Sequence, residues 1–454
     1  MLTPEERRLK LAHCLMKVGW TIGFGLSSAA RMEHVIALCG NDMVRLSQFN
    51  STAWGLNRMC AAVLGPIVAS LSDAYGRLPF LLLGRIGLGC WFVGCAASTK
   101  LWHFAVTEQL TWGFLMCGWE AVEDAFFADL FGERPELSGR IRSRNGFWSG
   151  IAGFAAPFVG IACASRSRLG TILLGALSQV LQCAVILWHG ETLPPASRKP
   201  FKLAMANPFS SLTLLFRNGQ GLRRLGYCAT CFTGCASSWG TQEPFQFGAP
   251  PVGIGMSPAE GSVFDALFQA SGAVSQGLVV QPLLKRLGNR RCFQWTSVSA
   301  AAFYVLMSQS WRPLAGSHYR RLAQYFVTMA LLQSPYNEPS FFCIQPMVMK
   351  QGIFSCPDAG KGAIAAAYSG LENVIGSIGI FVLGWLARGF IRGEREGWLP
   401  WWLAWGGGGH FVLCGVVRFI GAVILWTTPD EQLHVTEAKT EVLGTEVPHE
   451  VKNE

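Results

Sequence analysis

Apolar stretches of about 20 residues, long enough to cross a bilayer, alternate with short charged turns along most of the chain. The first six run over residues 11–36, 47–71, 80–98, 102–127, 146–164 and 169–188, and six more over 225–247, 261–284, 292–311, 322–349, 363–390 and 401–426. The pattern therefore predicts an all-α membrane protein of about twelve spans. Residues 189–224 interrupt it with a polar, proline-bearing stretch whose 207–216 part is expected to lie as an amphipathic turn on the membrane surface. The organisation expected is an N-terminal half over 1–188, a linker over 189–224, a C-terminal half over 225–428, and a disordered acidic tail over 429–454.

Composition agrees, since 50% of residues are hydrophobic and 14% charged, against about 25% charged in soluble domains. The first ten residues are charged and no cleavage site follows residues 11–26, so the first apolar segment is expected to stay in the membrane. The 15 cysteines lie mostly within apolar stretches and read as packing residues. Cys228, Cys231 and Cys235 share one helix face, a spacing open to a metal or redox role, but no charged fourth ligand stands nearby. Lys and Arg are about twice as frequent in the alternate loops that include 189–224, which predicts both termini on the cytoplasmic side. Nothing resembles a Walker loop, paired zinc ligands or a nucleophile elbow, so no enzyme site, cofactor, metal or nucleic-acid partner is expected.

One short turn organises the N-terminal half. The apolar run 64–72 stops at Asp73-Ala74-Tyr75-Gly76-Arg77 before the next span begins, and Gly76 suits the left-handed backbone that closes such a turn. This D-x-x-G-R resembles the signature loop between helices 2 and 3 of the major facilitator superfamily, with Ala69 and Leu78 departing from the fuller pattern. The loop Lys285 to Arg291, around Gly288, repeats it half a chain later with Lys285 in the place of Asp73. Two six-span halves related by such a repeat are how these transporters are built.

The resemblance implies further roles. It pairs Arg77 with Asp129 at the end of span 4, has Asp73 brace the opposite half, and adds Arg140 before span 5. Gly146, Gly150, Gly153 and Ala156-Pro157 in span 5 resemble the glycine-proline helix of the antiporter branch and would let helices approach closely. Glu108, Gln109 and Leu110 stand where that branch has an arginine. Helices 1, 4, 7 and 10 would line the central cavity, with 2, 5, 8 and 11 between the halves. The branch indicated is the drug-efflux, tetracycline-transporter-like one.

Charges within spans are costly and call for a partner, water or a function. Arg85 with Glu123 and Asp124 reads as a structural ion cluster, and Arg418 as a side chain snorkelling to the surface. Arg58 and Glu338 fall near mid-span; Glu338, between Pro335 and Pro339, is either a pathway residue or a structural partner of Arg58. Glu120, Glu338, Arg58 and Glu372 are the pathway or proton-coupling candidates. Trp20, Trp112, Trp119 and Trp239 either stack on a substrate or pack within the bundle. The expectation is a monomeric, multi-pass secondary transporter in a lipid bilayer, moving a small molecule by alternating access with protons as coupling ion. An uncoupled facilitator and a transporter-derived sensor or scaffold are the alternatives.

Overall fold

The structure, a computed structural model, describes residues 2–131, 135–198, 200–201, 208–238, 246–247, 253–307, 317–328, 334–356, 361–400 and 408–433. Helices dominate them and no strand occurs among them. In chain order they are α1 (Pro4–Leu38), α2 (Met43–Tyr75), α3 (Leu78–Ala97), α4 (Leu101–Glu108), α5 (Trp119–Phe131), α6 (Pro135–Ala164), α7 (Arg168–His189), α8 (Pro208–Arg217) and α9 (Gln220–Ala236). Then follow α10 (Pro258–Val274), α11 (Gln281–Met307, broken into two helical parts by a turn at Gly288), α12 (His318–Phe326), α13 (Ser334–Ser355), α14 (Lys361–Arg395) and α15 (Gly409–Trp426). Seven segments among the described residues are long and apolar enough to cross a bilayer, from 48–75 to 409–426.

Local chemistry sets the helix ends. α1 starts seven residues ahead of its apolar run because Thr3 and Glu6 form a capping box with Pro4 in the first turn. Ser257, Glu260 and Pro258 do the same for α10. α7 begins on a Ser167 cap and ends at Gly190, whose φ of 87° breaks the helix. On α7, Leu177, Val180 and Leu181 are all more than half exposed, the apolar outer face that a bilayer would cover.

The predicted fourth span is broken. A wide turn over Gln109–Leu115 follows α4, and the chain restarts as α5 only at Trp119. Gly118 takes a φ of +74° there. A Cβ on it would stand 3.0 Å from the Cα of Gly65, and Pro66 sits beside that contact within α2. Two glycines thus let the broken span and α2 cross in contact. The run 102–127 carries no proline and reads as one helix; the break comes from this tertiary crossing.

Two bundles result. In the first, α1 packs on α6 and α7 and α3 on α7; in the second, α11 packs on α13 and α15 and α15 on α9. They meet along two seams, α2 with α14 and α6 with α10. The small residues expected in the fifth span form the second seam: a Cβ on Gly150 would lie 2.5 Å from that of Ala273, and Gly146 and Gly153 stand against Gln276 and Gln269. At the first seam Ser377 Oγ donates to the Gly55 carbonyl at 2.8 Å. Close backbone approach and hydroxyl bonds are the usual means of helix association where apolar burial cannot discriminate lipid from protein.

Candidate functional site

At one end of the first bundle the α2–α3 turn is fixed from three directions. Gly76 has a φ of +104°, and its missing side chain makes room for the Glu191 carboxylate, which a Cβ at that position would overlap. Glu191 accepts the backbone N–H groups of Arg77 at 2.9 Å and Leu78 at 3.0 Å, and those of Thr192 and Leu193, each at 3.0 Å. An acid at the first turn of α3 satisfies donors that no intrahelical carbonyl can reach. The Arg77 side chain is buried; it ion-pairs with Asp73 one turn back, donates to Ser72 Oγ at 2.7 Å and approaches Asp129 Oδ2 at 3.4 Å. Thr192 Oγ1 donates to the same Asp129 oxygen at 2.8 Å.

Asp73, Gly76, Arg77 and Asp129 are therefore brought together. Asp73 ion-pairs with Arg77 across the Gly76 turn; the resemblance gives it a brace to the opposite half. The side chain of Arg140 lies outside the described ones. Glu191 was not singled out in the sequence because it stands at the head of a stretch that reads as linker.

Above this network lies a buried ion cluster. Glu123 receives Arg85 at 3.0 Å and Lys17 at 2.9 Å, and Arg85 stacks over Trp119 at 4.6 Å and Trp20 at 5.3 Å. Asp124 turns instead to Arg142 at 2.7 Å. Arg418 does not snorkel: it is 2% exposed, with its guanidinium 4.1 Å from the Phe232 ring and 5.7 Å from Phe293. The aromatic faces of its neighbours hold it in the core, a site that depth along the sequence cannot reveal. Cys228 and Cys235 are buried and their thiols donate to the carbonyls of Gly421 and Cys414. No cluster of potential metal ligands occurs among the described residues.

A cavity of about 480 Å³ opens between the bundles, walled by α1, α2, α3, the broken fourth span and α14. Arg58 and Glu120 both line it, from α2 and α5. Glu372 stands on α14 next to Asn373, which also lines the cavity, and lies within electrostatic reach of Arg58 and Glu120. The side chain of Glu338 on α13 and the whole of Trp239 lie outside the described ones. Trp20 stacks on Trp119 at 4.9 Å, and Trp112 meets Trp20 and Trp91 edge-on at 5.9 Å. Glu108, noted in the sequence only as a departure from an expected arginine, lines the same wall. It accepts from Trp91 Nε1 and from Asn57 Nδ2 at 3.2 Å. Two carboxylates, Glu108 and Glu120, two arginines, Arg31 and Arg58, several asparagine amides and a wall of indoles can hold an organic solute.

No family profile matches the chain. It is 25% identical over 277 residues to the class G tetracycline resistance protein of Vibrio anguillarum, a stretch covering 56% of this chain and 64% of that protein. Over 267 residues it is 26% identical to the class C protein of Escherichia coli, covering 55% and 60%. It is 24% identical over 280 residues to Hippocampus abundant transcript-like protein 1 of Bos taurus, covering 58% and 52%. The likeness thus spans between about half and two thirds of these relatives' own length. The fold matches the human organic anion transporter MFSD10 with a TM-score of 0.61 at 17% identity, over 93% of this chain and all of that one. It matches the nucleoside transporter NupG with 0.60 at 14% identity, over 93% and 100%. None of these proteins is named as an enzyme. In sequence the chain is thus similar to tetracycline resistance proteins, and its fold is that of the MFSD10 and NupG transporters.

Proposed function

We propose that the protein is a secondary active transporter that moves a small solute across a membrane by alternating access, with protons as the coupling ion. The observation that carries this reading is the cavity between the two bundles, in which Arg58 and Glu120 make neither a hydrogen bond nor an ion pair with any described residue. A charge within a membrane span without a direct partner is unfavourable, and a solute or a proton entering the cavity supplies what is missing. Glu120 and, on α13, Glu338 are the proton carriers in this reading, with Glu372 in a supporting place. The halves 1–188 and 225–428 rock about the α2–α14 and α6–α10 seams, joined by the linker 189–224. Both termini face the cytoplasm, the Gly76 loop lies at the cytoplasmic surface, and the chain acts as a monomer in the bilayer.

The test is accumulation by reconstituted vesicles of solutes first selected by thermal shift, with and without an imposed pH gradient. Glu120→Gln and Glu338→Gln, fixed in the neutral shape, are expected to abolish gradient-driven accumulation while allowing exchange of solute for solute. Full accumulation by both variants, singly and together, would leave an uncoupled facilitator as the reading.

A further inference from the structure

Most of the cavity wall is occupied with itself. The faces of Trp20 and Trp119 are taken by each other and by Arg85, Glu108 is held by Trp91 and Asn57, and Arg31 lies over the Trp91 ring at 5.4 Å, within electrostatic reach of Glu108. Three lining groups differ. Trp54 is 51% exposed and stacks on no described ring. Arg58 stands one turn further along the same face of α2, half-buried and without a bonded acceptor among the described residues. Glu120 on α5 faces the cavity unbonded, within electrostatic reach of Arg58.

The second bundle reaches the same place. A Cβ on Gly376 of α14 would stand 3.0 Å from Arg58 Cδ and 3.2 Å from its Nη1, so the arginine stem lies on the α14 backbone. Asn373, one turn earlier on α14, lines the cavity with its amide unbonded among the described residues.

Resting on the transporter reading, we propose that this subsite takes a small zwitterion with an aromatic ring. Its carboxylate lies on Arg58, its ammonium on Glu120 and its ring on Trp54. The reason is balance. With Arg31 and Glu108 set against each other and Trp91, Arg58 and Glu120 are left as one cation and one anion without a direct partner, so a solute with a single charge leaves one of them unpaired in the occupied cavity, a penalty, whereas a zwitterion satisfies both. Arginine suits a carboxylate because its planar fork can bond both oxygens, and an indole face without a partner suits a flat ring. A volume of about 480 Å³ falls in the range of small-ligand pockets, about 300–1,000 Å³. An ammonium on Glu120 and a proton on Glu120 exclude one another, so this site would also make solute and proton compete.

The test uses the purified full chain and four ligands sharing one ring: tryptophan, tryptamine, indole-3-propionate and 3-methylindole. Affinities are read by calorimetry. Tryptophan is expected to bind at least about tenfold more tightly than the other three, a difference of about 1.4 kcal/mol. Arg58→Gln should bring it down to the level of tryptamine, Arg58→Lys should restore part of the preference, and Glu120→Gln should bring it down to that of indole-3-propionate. Trp54→Ala should weaken all four together. Equal affinity of the four ligands, or a uniform loss in the Arg58 and Glu120 variants, overturns the proposal. Vesicles incubated with a cell extract separate the two readings. Accumulation of some solute with no indole binding overturns the zwitterion site and leaves transport standing. Indole binding in the expected order with nothing accumulated supports the site and removes transport.

Discussion

The turn at Gly76 and the turn at Gly288 are built from the same two parts, an interhelical turn and the end of the last helix in its bundle, but the polarity of the clasp is reversed. In the first bundle the charge comes from the chain after α7: Glu191 reaches into the turn and accepts the backbone N–H groups of Arg77 and Leu78. In the second the charge comes from the turn. Arg290, just past Gly288, donates to the carbonyls of Leu425 and Thr428 at the end of α15 and ion-pairs with Asp430. Both glycines have positive φ, 104° and 67°. An anion caps a helix N-terminus in one case and a cation a helix C-terminus in the other, each in the favourable direction of the helix dipole. The difference lies in what is attached: the Gly76 turn is wired through Arg77 to Asp73 and Asp129, whereas Lys285 replaces the acid in the second copy. The first turn can therefore respond to charge, and the second mainly holds two helix ends together.

The largest effect that would break this comparison is at Arg77. Removing one partner from a buried charge network costs about 3–5 kcal/mol, so Arg77→Gln should lower the melting temperature and reduce vesicle transport by more than about tenfold. The swap Arg77→Asp with Asp129→Arg should recover part of either single loss, since contacting residues are not additive. Strict additivity in a double-mutant cycle removes the Arg77–Asp129 pair from the mechanism.

Next in size is the glycine itself. Gly76→Ala places a methyl group in the space of the Glu191 carboxylate and forces a positive φ on an L-residue, a strain of about 1–2 kcal/mol. Gly288→Ala also forces a positive φ on an L-residue, with no carboxylate clasp of the Glu191 kind at stake. Thermal unfolding of the two variants in the same detergent should show the Gly76 change to be the more damaging. Equal losses would mean that the Glu191 clasp adds nothing to its turn.

Seven of the expected spans were legible among the described residues, because hydropathy alone separates apolar helix from turn: residues 80–98 and 169–188 of the sequence reading became Leu78–Ala97 and Arg168–His189. The paired glycine turns were legible too, because a left-handed turn leaves its mark on one residue. What stayed hidden depended on partners distant in the chain. Glu191 looked like linker because the donors it serves lie over a hundred residues upstream, and Arg418 looked like a snorkelling cation because Phe232 and Phe293 belong to other helices. The broken fourth span needed Gly65 as well as Gly118, and no window along one stretch contains both. Of the cavity, Arg58 and Glu120 were found through the cost of intramembrane charge; Trp54 carries no charge and could only be found by its exposure.

A smaller effect is expected at Glu191. Glu191→Gln keeps the shape and one carbonyl oxygen but loses the second oxygen and the charge, and hydrogen bonds to charged groups contribute about 1.5–3 kcal/mol. Transport should fall several-fold while ligand affinity is retained, because the residue is not among those that line the cavity. The matched change on the other side, Arg290→Gln, should lower thermal stability without changing the dependence of transport on charge at the first turn. Loss of ligand binding in Glu191→Gln would mean that the clasp shapes the cavity.

The smallest effect concerns Asp73, whose side chain is 38% exposed. Water already screens such a charge, and exposed pairs contribute little to stability, so Asp73→Asn should leave the melting temperature nearly unchanged. Its consequence should be kinetic. Arg77 is held between Asp73 and Asp129, and removing the outer acid leaves it to Asp129 and Ser72 alone, so the turn should settle in one arrangement and the halves exchange more slowly. Vesicle transport should slow while ligand affinity stays within a few fold, and raising the salt should mimic part of the change in the unaltered protein, as screening of a half-exposed pair requires. Lys285→Asp provides the sharpest control, because it writes the missing acid into the second turn, where Arg290 is already bound to helix carbonyls and Asp430. If the two turns differ only in their acid, that change should transfer the salt sensitivity to the second turn; if the wiring matters, as the structure of the two clasps indicates, the measured salt dependence of transport should be the same with Lys285→Asp as without it.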